Sequence, residues 1–325
     1  MAHYLITGAA GFIASRVTQL LLAEGHTVFG VDNLNNAYDV RMKEYRLGML
    51  QQLPGFTFRR MDISEMEQVN SLAKEMGPVE AVINLAARAG VRSSVENPWI
   101  YYSTNVTGTL NLLEMCHRQG IPKFVLASSS SVYGANPPLP TPEDADTDHP
   151  LQPYAASKKS AENLCYTYHY LYGTDITIFR YFTVYGPAGR PDMVMFRFAQ
   201  WIAEGRTVKL NGDGKQARGF TYLDDIGRGT ILGLKPLGYE IINLGGHQII
   251  DINELIAMIE ELVGRKAVIE YLPRHPADAM ANYANVEKAR RLLNWEPQVS
   301  LGEGVANLVN WYQAERSWAS QVMTP

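Results

Sequence analysis

The sequence predicts an α/β protein built on a doubly wound parallel sheet, with a smaller α/β lobe towards the C-terminus. Three observations lead there. Short apolar strands alternate with amphipathic helices through the first 180 residues, the pattern of successive β-α-β units. A glycine turn, Gly8-Ala9-Ala10-Gly11, separates the first strand from the first helix. Beyond residue 181 the chain changes character, with turn signals such as Asn211-Gly212-Asp213-Gly214 between shorter segments.

Composition narrows the classes. A chain of 325 residues forms one large domain or two unequal ones sharing an interface. With 46% hydrophobic and 19% charged residues it reads as an ordinary globular protein. A net charge of -4 with no basic stripe argues against nucleic acid as a partner. The two cysteines, Cys116 and Cys165, make no disulfide framework and are too few for a structural zinc site, so no metal is expected. The chain opens directly on Tyr4-Leu5-Ile6-Thr7 without a signal peptide. No apolar run approaches the roughly 18 residues of a membrane span. The expectation is a reduced, cytoplasmic protein with no membrane partner.

Taken in order, a strand over 3–7 runs into the glycine turn and a helix to residue 22. Glycines there let the backbone approach a pyrophosphate, and the helix N-terminus offers free N–H groups. A second strand over 27–31 ends at Asp32, about twenty residues on, where a carboxylate accepts from both ribose hydroxyls of a dinucleotide. That acid repels a 2′-phosphate and favours NAD over NADP. A tight turn followed by a solvated Asp is the plainer alternative. A strand over 57–60 ends at Asp62, which suits either an adenine amine or the cap of the helix beginning at Ser64. A strand over 81–85 ends in Ala86-Ala87, small residues against which a ribose could lie. An amphipathic helix over 105–119 leads to a buried strand over 123–127 and then Ser128-Ser129-Ser130-Ser131. Every one of these features falls at the carboxyl end of a strand, where such sheets bind ligands.

Residues 137–153 read as a loop over the crevice, followed by a helix over 154–172 and a strand over 175–180. Tyr154 and Lys158 stand one helical turn apart on one face. A free tyrosine titrates near pH 10, and a neighbouring ammonium or a bound NAD+ lowers that value. With Ser129 sharing the proton, this set suits taking a proton from an alcohol while its carbon gives up a hydride. Most Tyr-x-x-x-Lys pairs are plain helix surface; the surrounding features single this one out. The aromatic run Tyr166, Tyr168, His169, Tyr170 and Tyr172 reads as packing. The second lobe is expected from a helix over 196–204, a strand over 208–210 and a helix over 252–262, with a strand over 241–244 between them returning to the first domain. Segments 267–271, 286–293 and 301–312 complete it. Arg218, after a glycine-rich turn, is either a diphosphate clamp or a surface charge. The expected division is a cofactor domain over 1–180 with about 219–245, and a sugar lobe over about 181–218 and 246–325.

Together these residues resemble the extended short-chain dehydrogenases, with a Rossmann-type fold, and among them the nucleotide-sugar epimerases. The resemblance covers the chain: Thr7-Gly8-x-x-Gly11-Phe12-Ile13, Ser128-Ser129-x-x-Val132-Tyr133-Gly134, Tyr154-x-x-x-Lys158, Arg180-Tyr181-Phe182, Arg218-x-x-x-Tyr222-x-x-Asp225 and Asn294-Trp295-Glu296-Pro297. Ala14 replaces the usual third glycine, and Ala277 precedes Asp278 where the family commonly has Gly-Asp. The resemblance implies that Tyr154 is the base, Lys158 lowers its pKa and holds the nicotinamide ribose, and Ser129 binds the sugar 4-hydroxyl. It implies an NAD site from Gly8, Gly11, Phe12, Ile13, Asp32, Asn33, Asp62, Ile63, Leu85, Ala86, Ala87, Asn105 and Tyr181, with Tyr154 and Lys158. It implies a UDP-sugar site from Ser128, Ser129, Ser130, Thr183, Arg92, Arg190, Arg218 and Asp278, and a homodimer joined by the helices near 105 and 160.

Within that group, Ala89-Gly90-Val91-Arg92-x-Ser94 with Asn97-Pro98, and Gly186-Pro187-x-Gly189-Arg190-Pro191-Asp192-Met193, look more like UDP-glucuronate 4-epimerases than UDP-glucose 4-epimerases. Related 4,6-dehydratases and UDP-glucuronate decarboxylases carry acids directly after the catalytic serine or threonine; here Ser130 and Ser131 stand there. The expectation is inversion at C4 through a transient 4-keto sugar. The other readings are UDP-glucose epimerisation, decarboxylation, dehydration, or a sensor that binds NAD without turnover.

Overall fold

The structure, a computed structural model, describes residues 1–246, 248–273 and 281–325. The chain begins β1 (His3–Thr7), α1 (Phe12–Ala23), β2 (Thr27–Asp32), α2 (Arg41–Gln51), β3 (Phe56–Arg60), α3 (Met66–Glu75), β4 (Ala81–Asn84). It continues through α4 (Val91–Glu96), α5 (Pro98–Tyr101), a π-helical turn (Tyr102–Thr107) and α6 (Gly108–Gln119) to β5 (Lys123–Ser129). Next come α7 (Pro153–Tyr172), β6 (Asp175–Tyr181), β7 (Thr183–Tyr185), α8 (Val194–Ala203), β8 (Thr207–Asn211), β9 (Ala217–Tyr222), α9 (Leu223–Leu232) and β10 (Tyr239–Leu244). The remainder is β11 (Ile249–Asp251), α10 (Ile252–Val263), β12 (Val268–Leu272), β13 (Ala281–Asn282), α11 (Glu287–Leu293), α12 (Leu301–Ala314) and α13 (Arg316–Ala319).

Seven strands form one sheet in the order β10-β6-β5-β4-β1-β2-β3, every neighbouring pair parallel. Because both faces are covered, its central strands are apolar throughout rather than alternating: Val82, Ile83, Phe124, Val125 and Leu126 are all buried. Alternate residues serve opposite faces. Leu5, Val31, Val82, Phe124 and Ile178 pack with residues of α3, α6 and α7, whereas Ile6, Val28, Ile83, Val125 and Phe179 pack with α1, α9 and α11. Ala14 lies in that second layer at 2% exposure, so the helix closes on the strand without the third glycine. Trp295 is buried in the same layer and donates from Nε1 to the Asp225 carbonyl at 2.8 Å. The order turns back between β1 and β4, which opens the crevice at the strands' carboxyl ends.

The smaller sheet centres on β9, whose first half pairs with β11 and β13 and whose second half pairs with β7. β9 therefore stands in the small lobe's sheet, while α9 and β10 return the chain to the large one. A parallel β8–β12 pair and helices α8, α10 and α12 close a separate apolar core. The C-terminal tail crosses both lobes. Arg41 donates to the Gln321 carbonyl, the Met323 amide to Asp39, and Gln200 to the carbonyls of Ala319 and Val322. Among the described residues no helix is long and apolar enough to cross a membrane.

One buried ion pair sets α7 on the sheet. Arg180 of β6 donates from Nε to Glu162 Oε1 at 3.0 Å and from Nη2 to Oε2 at 2.8 Å, and Ser128 of β5 donates to the same Oε1 at 2.5 Å. Both charged side chains are at most 3% exposed. Removing one partner strands the other charge, which costs about 3–5 kcal/mol, whereas an apolar replacement of both costs less. Thermal melting should therefore show Glu162→Ala less stable than the double variant Glu162→Leu/Arg180→Met. Equal or greater loss in the double variant would contradict this account.

Candidate active site

The crevice floor is a cradle that side chains would fill. Gly8 takes φ +70°, and a Cβ there would stand 2.8 Å from the Ala86 backbone. A Cβ on Gly11 would meet the Gly8 carbonyl at 2.7 Å, the same oxygen that accepts from the Gly11 amide. Gly11 also precedes α1 without a side-chain cap, leaving the first helical N–H groups for an anion. Asp32, 7% exposed, accepts from the Ala10 and Leu34 amides at 3.2 and 2.8 Å, with Lys43 Nζ 3.6 Å away. A pyrophosphate cradle and a ribose carboxylate at this spacing fit NAD.

The other expected cofactor residues divide by position. Phe12 begins α1 and is buried; Ile13, Leu85, Ala86 and Ala87 are partly buried around the turn; Ile63 lies in the core. Asp62 accepts from the amide and hydroxyl of Ser64 through Oδ1 and from Asn33 through Oδ2. Burial raises its pKa, but those bonds and the Arg88 charge outweigh it and leave the carboxyl below its ordinary value. Asn105, inside the π-helical turn, accepts from the Arg88 amide and donates to the Arg88 carbonyl and to Ser157. Both its amide hydrogens are thus engaged by protein, and it fastens the crevice wall to α7. Tyr181 points to the other face of the sheet: it is buried against the α1/α9 layer and its hydroxyl bonds Thr230 at 2.8 Å.

At the reacting end, Tyr154 stands in the first turn of α7, partly buried, its ring edge-on to Tyr101 at 6.2 Å. Burial raises its pKa, the Ser129 hydroxyl and the Arg190 charge lower it, and Tyr101 raises it further; the balance lies above the ordinary value. Lys158 is buried and donates to the Ala127 carbonyl at 2.7 Å. Burial brings its pKa down to about 8, against the pull of the Glu162 carboxylate. The cation acting on Tyr154 in this arrangement is Arg190, which sequence reasoning had placed with the substrate alone.

Arg190 sits beyond β7, ion-paired with Asp192. Ser129 Oγ bonds both the amide and the hydroxyl of Ser131 at 3.2 Å. Ser130 accepts from Asn282 Nδ2 at 3.2 Å, which brings the small lobe to the serine run. Thr183 opens β7, partly buried. Ser128 is turned away, into the bond with Glu162. Arg92 is exposed in the first turn of α4, and Arg218 on β9 donates to the Ala217 carbonyl at 2.8 Å. Asp278 and Ala277 lie outside the described residues. In the aromatic run, Tyr168 and His169 pack, whereas Tyr166, Tyr170 and Tyr172 face outward at 54%, 76% and 48% exposure. Sequence reasoning missed Lys43, Arg46 and Glu162, and quoted Arg180 within the Arg180-Tyr181-Phe182 motif without a role; Glu162 also left a signal, lying one turn beyond Lys158 on the same stripe.

Because the Arg190 charge favours the phenolate, Arg190→Met should raise the pKa of Tyr154. Ultraviolet difference titration of each protein against its Tyr154→Phe counterpart reads this directly. An unchanged or lowered value would remove Arg190 from the electrostatics of the site.

Comparison with known proteins places the chain in a family. The NAD dependent epimerase/dehydratase family matches residues 4–245. A UDP-glucuronate 4-epimerase of Thermodesulfobacterium geofontis (strain OPF15) is 56% identical over 312 residues, 96% of each chain. Among solved structures, a UDP-glucuronic acid 4-epimerase from Bacillus cereus, in complex with UDP-glucuronic acid and NAD, is 35% identical with a TM-score of 0.89. It covers 96% of this chain and 99% of its own. A UDP-glucose 4-epimerase from Thermotoga maritima, with UDP-glucose, is 31% identical with a TM-score of 0.88, covering 97% of this chain and 99% of its own. The chain belongs to the NAD dependent epimerase/dehydratase family.

Proposed function

We propose that this enzyme interconverts UDP-glucuronate and UDP-galacturonate by inverting C4. The observation that carries the reading is Tyr154 with the Ser129 hydroxyl and the Arg190 charge acting on it and no acid after Ser129. Serines 130 and 131 occupy the places where dehydration or decarboxylation would need a carboxylate, and Ser130 and Thr183 are the hydroxyls proposed for the sugar carboxylate. The 56% identity to a relative named UDP-glucuronate 4-epimerase supports it.

NAD supplies the acceptor and donor of the C4 hydride. The chain handles the proton and the sugar. Ser129 orients the 4-hydroxyl, and Tyr154 takes its proton as the phenolate that Arg190 and the bound cofactor's positive charge favour. Lys158, anchored on Ala127, holds the nicotinamide ribose. The 4-keto sugar then turns over, so that the hydride would return to the other face of C4 while Tyr154 returns the proton to the oxygen. A 4-keto uronate is a β-keto acid and loses CO2 when its carboxylate stands perpendicular to the ketone. Ser130 and Thr183, with Arg190, hold it in plane.

The large sheet, 1–180 with about 219–245, carries the cofactor and the rest carries the nucleotide sugar, with β9 counted in the smaller sheet. A homodimer would join along the helices near 105 and 160, as the resemblance implies; Trp99 shortly before the first and Tyr166 and Tyr170 on α7 are exposed. Two buried free thiols, Cys116 and Cys165, suit the cytoplasm.

Tyr154→Phe removes only the proton acceptor and should lower turnover roughly 10²–10⁴-fold while NAD stays bound; near-normal activity would reject the base. Parallel assays should show UDP-glucuronate preferred over UDP-glucose by at least ~100-fold in kcat/KM, roughly 2.7 kcal/mol, because a hydroxymethyl group leaves the carboxylate's donors unpaired. Equal rates would favour the UDP-glucose reading. Thr183→Val should slow the uronate reaction and increase the decarboxylated pentose product; unchanged rate without pentose would take Thr183 out of the site.

A further inference from the structure

We propose that Arg46 of α2 is a positioning residue: its guanidinium ties the loop of residues 186–192 to the glycine turn and so sets Arg190 beside Tyr154. The inference rests on the reading of Tyr154 as the base.

Arg46 is 1% exposed and spends all five N–H donors on neutral oxygens. Nε and Nη2 donate to the Ala188 carbonyl at 2.9 and 2.7 Å, and Nη2 also to the Gly189 carbonyl at 3.2 Å. Nη1 donates to the Ala10 carbonyl at 3.2 Å and to the Tyr38 hydroxyl at 2.9 Å. Its cation lies 5.7 Å from the ring centres of both Phe12 and Tyr38. Among the described residues no carboxylate pairs with it. A buried charge without a counter-charge is costly, so these bonds decide where the groups it touches can sit.

The loop it holds is not at ease by itself. Ala188 takes φ +53°, a left-handed conformation that a non-glycine residue keeps only when its surroundings impose it. Two of the hydrogen bonds from Arg46 fall on the carbonyl of that residue. From the other side Ala188 joins a small apolar cluster with Met42, Phe196 and Val322 of the C-terminal tail. Two residues further along the loop stands Arg190, whose charge faces Asp192, Tyr38 and Tyr154. One side chain therefore touches the turn that cradles the cofactor and the loop that carries the substrate-side cation. Its role is to fix their mutual position, a matter of geometry on which catalytic groups depend steeply.

The test uses the full-length holoenzyme and the ultraviolet titration of Tyr154, each variant being compared with its Tyr154→Phe counterpart. Tyr154 is faced by Ser129 from β5, Tyr101 from α5 and Arg190 from the loop, with Lys158 one turn along its own helix, and Arg46→Lys replaces none of these residues. That variant keeps the charge and loses the fork, and should raise the Tyr154 pKa in the same direction as Arg190→Met. In the Arg190→Met background it should add nothing further. Adding Ala188→Gly to Arg46→Lys should return the value towards that of the wild type, since glycine adopts the left-handed turn without being held. Turnover should fall about 10- to 100-fold in Arg46→Lys with bound NAD per chain unchanged. An unchanged Tyr154 pKa, an additive double variant, or loss of NAD that Ala188→Gly does not restore would each overturn the proposal. If Arg46→Lys does not fold, Val322→Ala loosens Ala188 from the other side and should shift the same titration upward; no shift would overturn it. The titration needs no sugar. A wild type inert on UDP-glucuronate that still shows these shifts would reject the substrate reading and leave the role of Arg46 intact.

Discussion

The placement of the whole site depends on the Glu162 carboxylate, held by the Arg180 fork and the Ser128 hydroxyl. Tyr154, Lys158 and Glu162 follow one another at four-residue steps and so share a stripe of α7. Fixing the last of them against β5 and β6 fixes the rotation and height of the other two. Asn105 adds a second fastening near the start of the helix through Ser157. A helix packed by apolar contacts alone could slide or roll by fractions of an ångström at little cost. A buried, doubly hydrogen-bonded pair cannot, because any displacement leaves a charge without partners.

The chemistry works against its own environment. Burial opposes both ions the reaction needs, keeping the Tyr154 phenol above its usual pKa and lowering that of Lys158. Neither side chain is primed by its position alone. The Arg190 charge pulls the other way without overcoming burial at Tyr154; a positive nicotinamide beside the phenol would add to that pull.

The sequence made the large sheet legible because parallel strands buried on both faces leave unbroken apolar runs, and the glycines and acids mark their ends. Tyr154 and Lys158 were legible by spacing. The roles it concealed belong to charged groups facing inward. On α2 the buried face carries Lys43 and Arg46 among Met42, Leu47 and Leu50, so no apolar stripe announces a helix there. Arg180 stood in a motif without a role and Glu162 on a helix whose aromatic run read as packing; each makes sense only beside the other. The sequence also could not tell that Ser128 and Tyr181 turn away from the crevice. A one-residue step along a strand reverses the face, and the register is set by neighbours far away in the chain.

The C-terminal tail, bonded at Gln321 and Met323 to the large lobe and at Ala319 and Val322 to Gln200 of the small one, works as a tie bar between the two lobes. Prising the lobes apart would break those bonds together with the apolar contact of Val322. A substrate that must present both faces of one carbon to a fixed hydride site can do so by moving the protein or by moving itself. With the lobes tied in this way, the inversion proposed above asks the sugar rather than the lobes to turn.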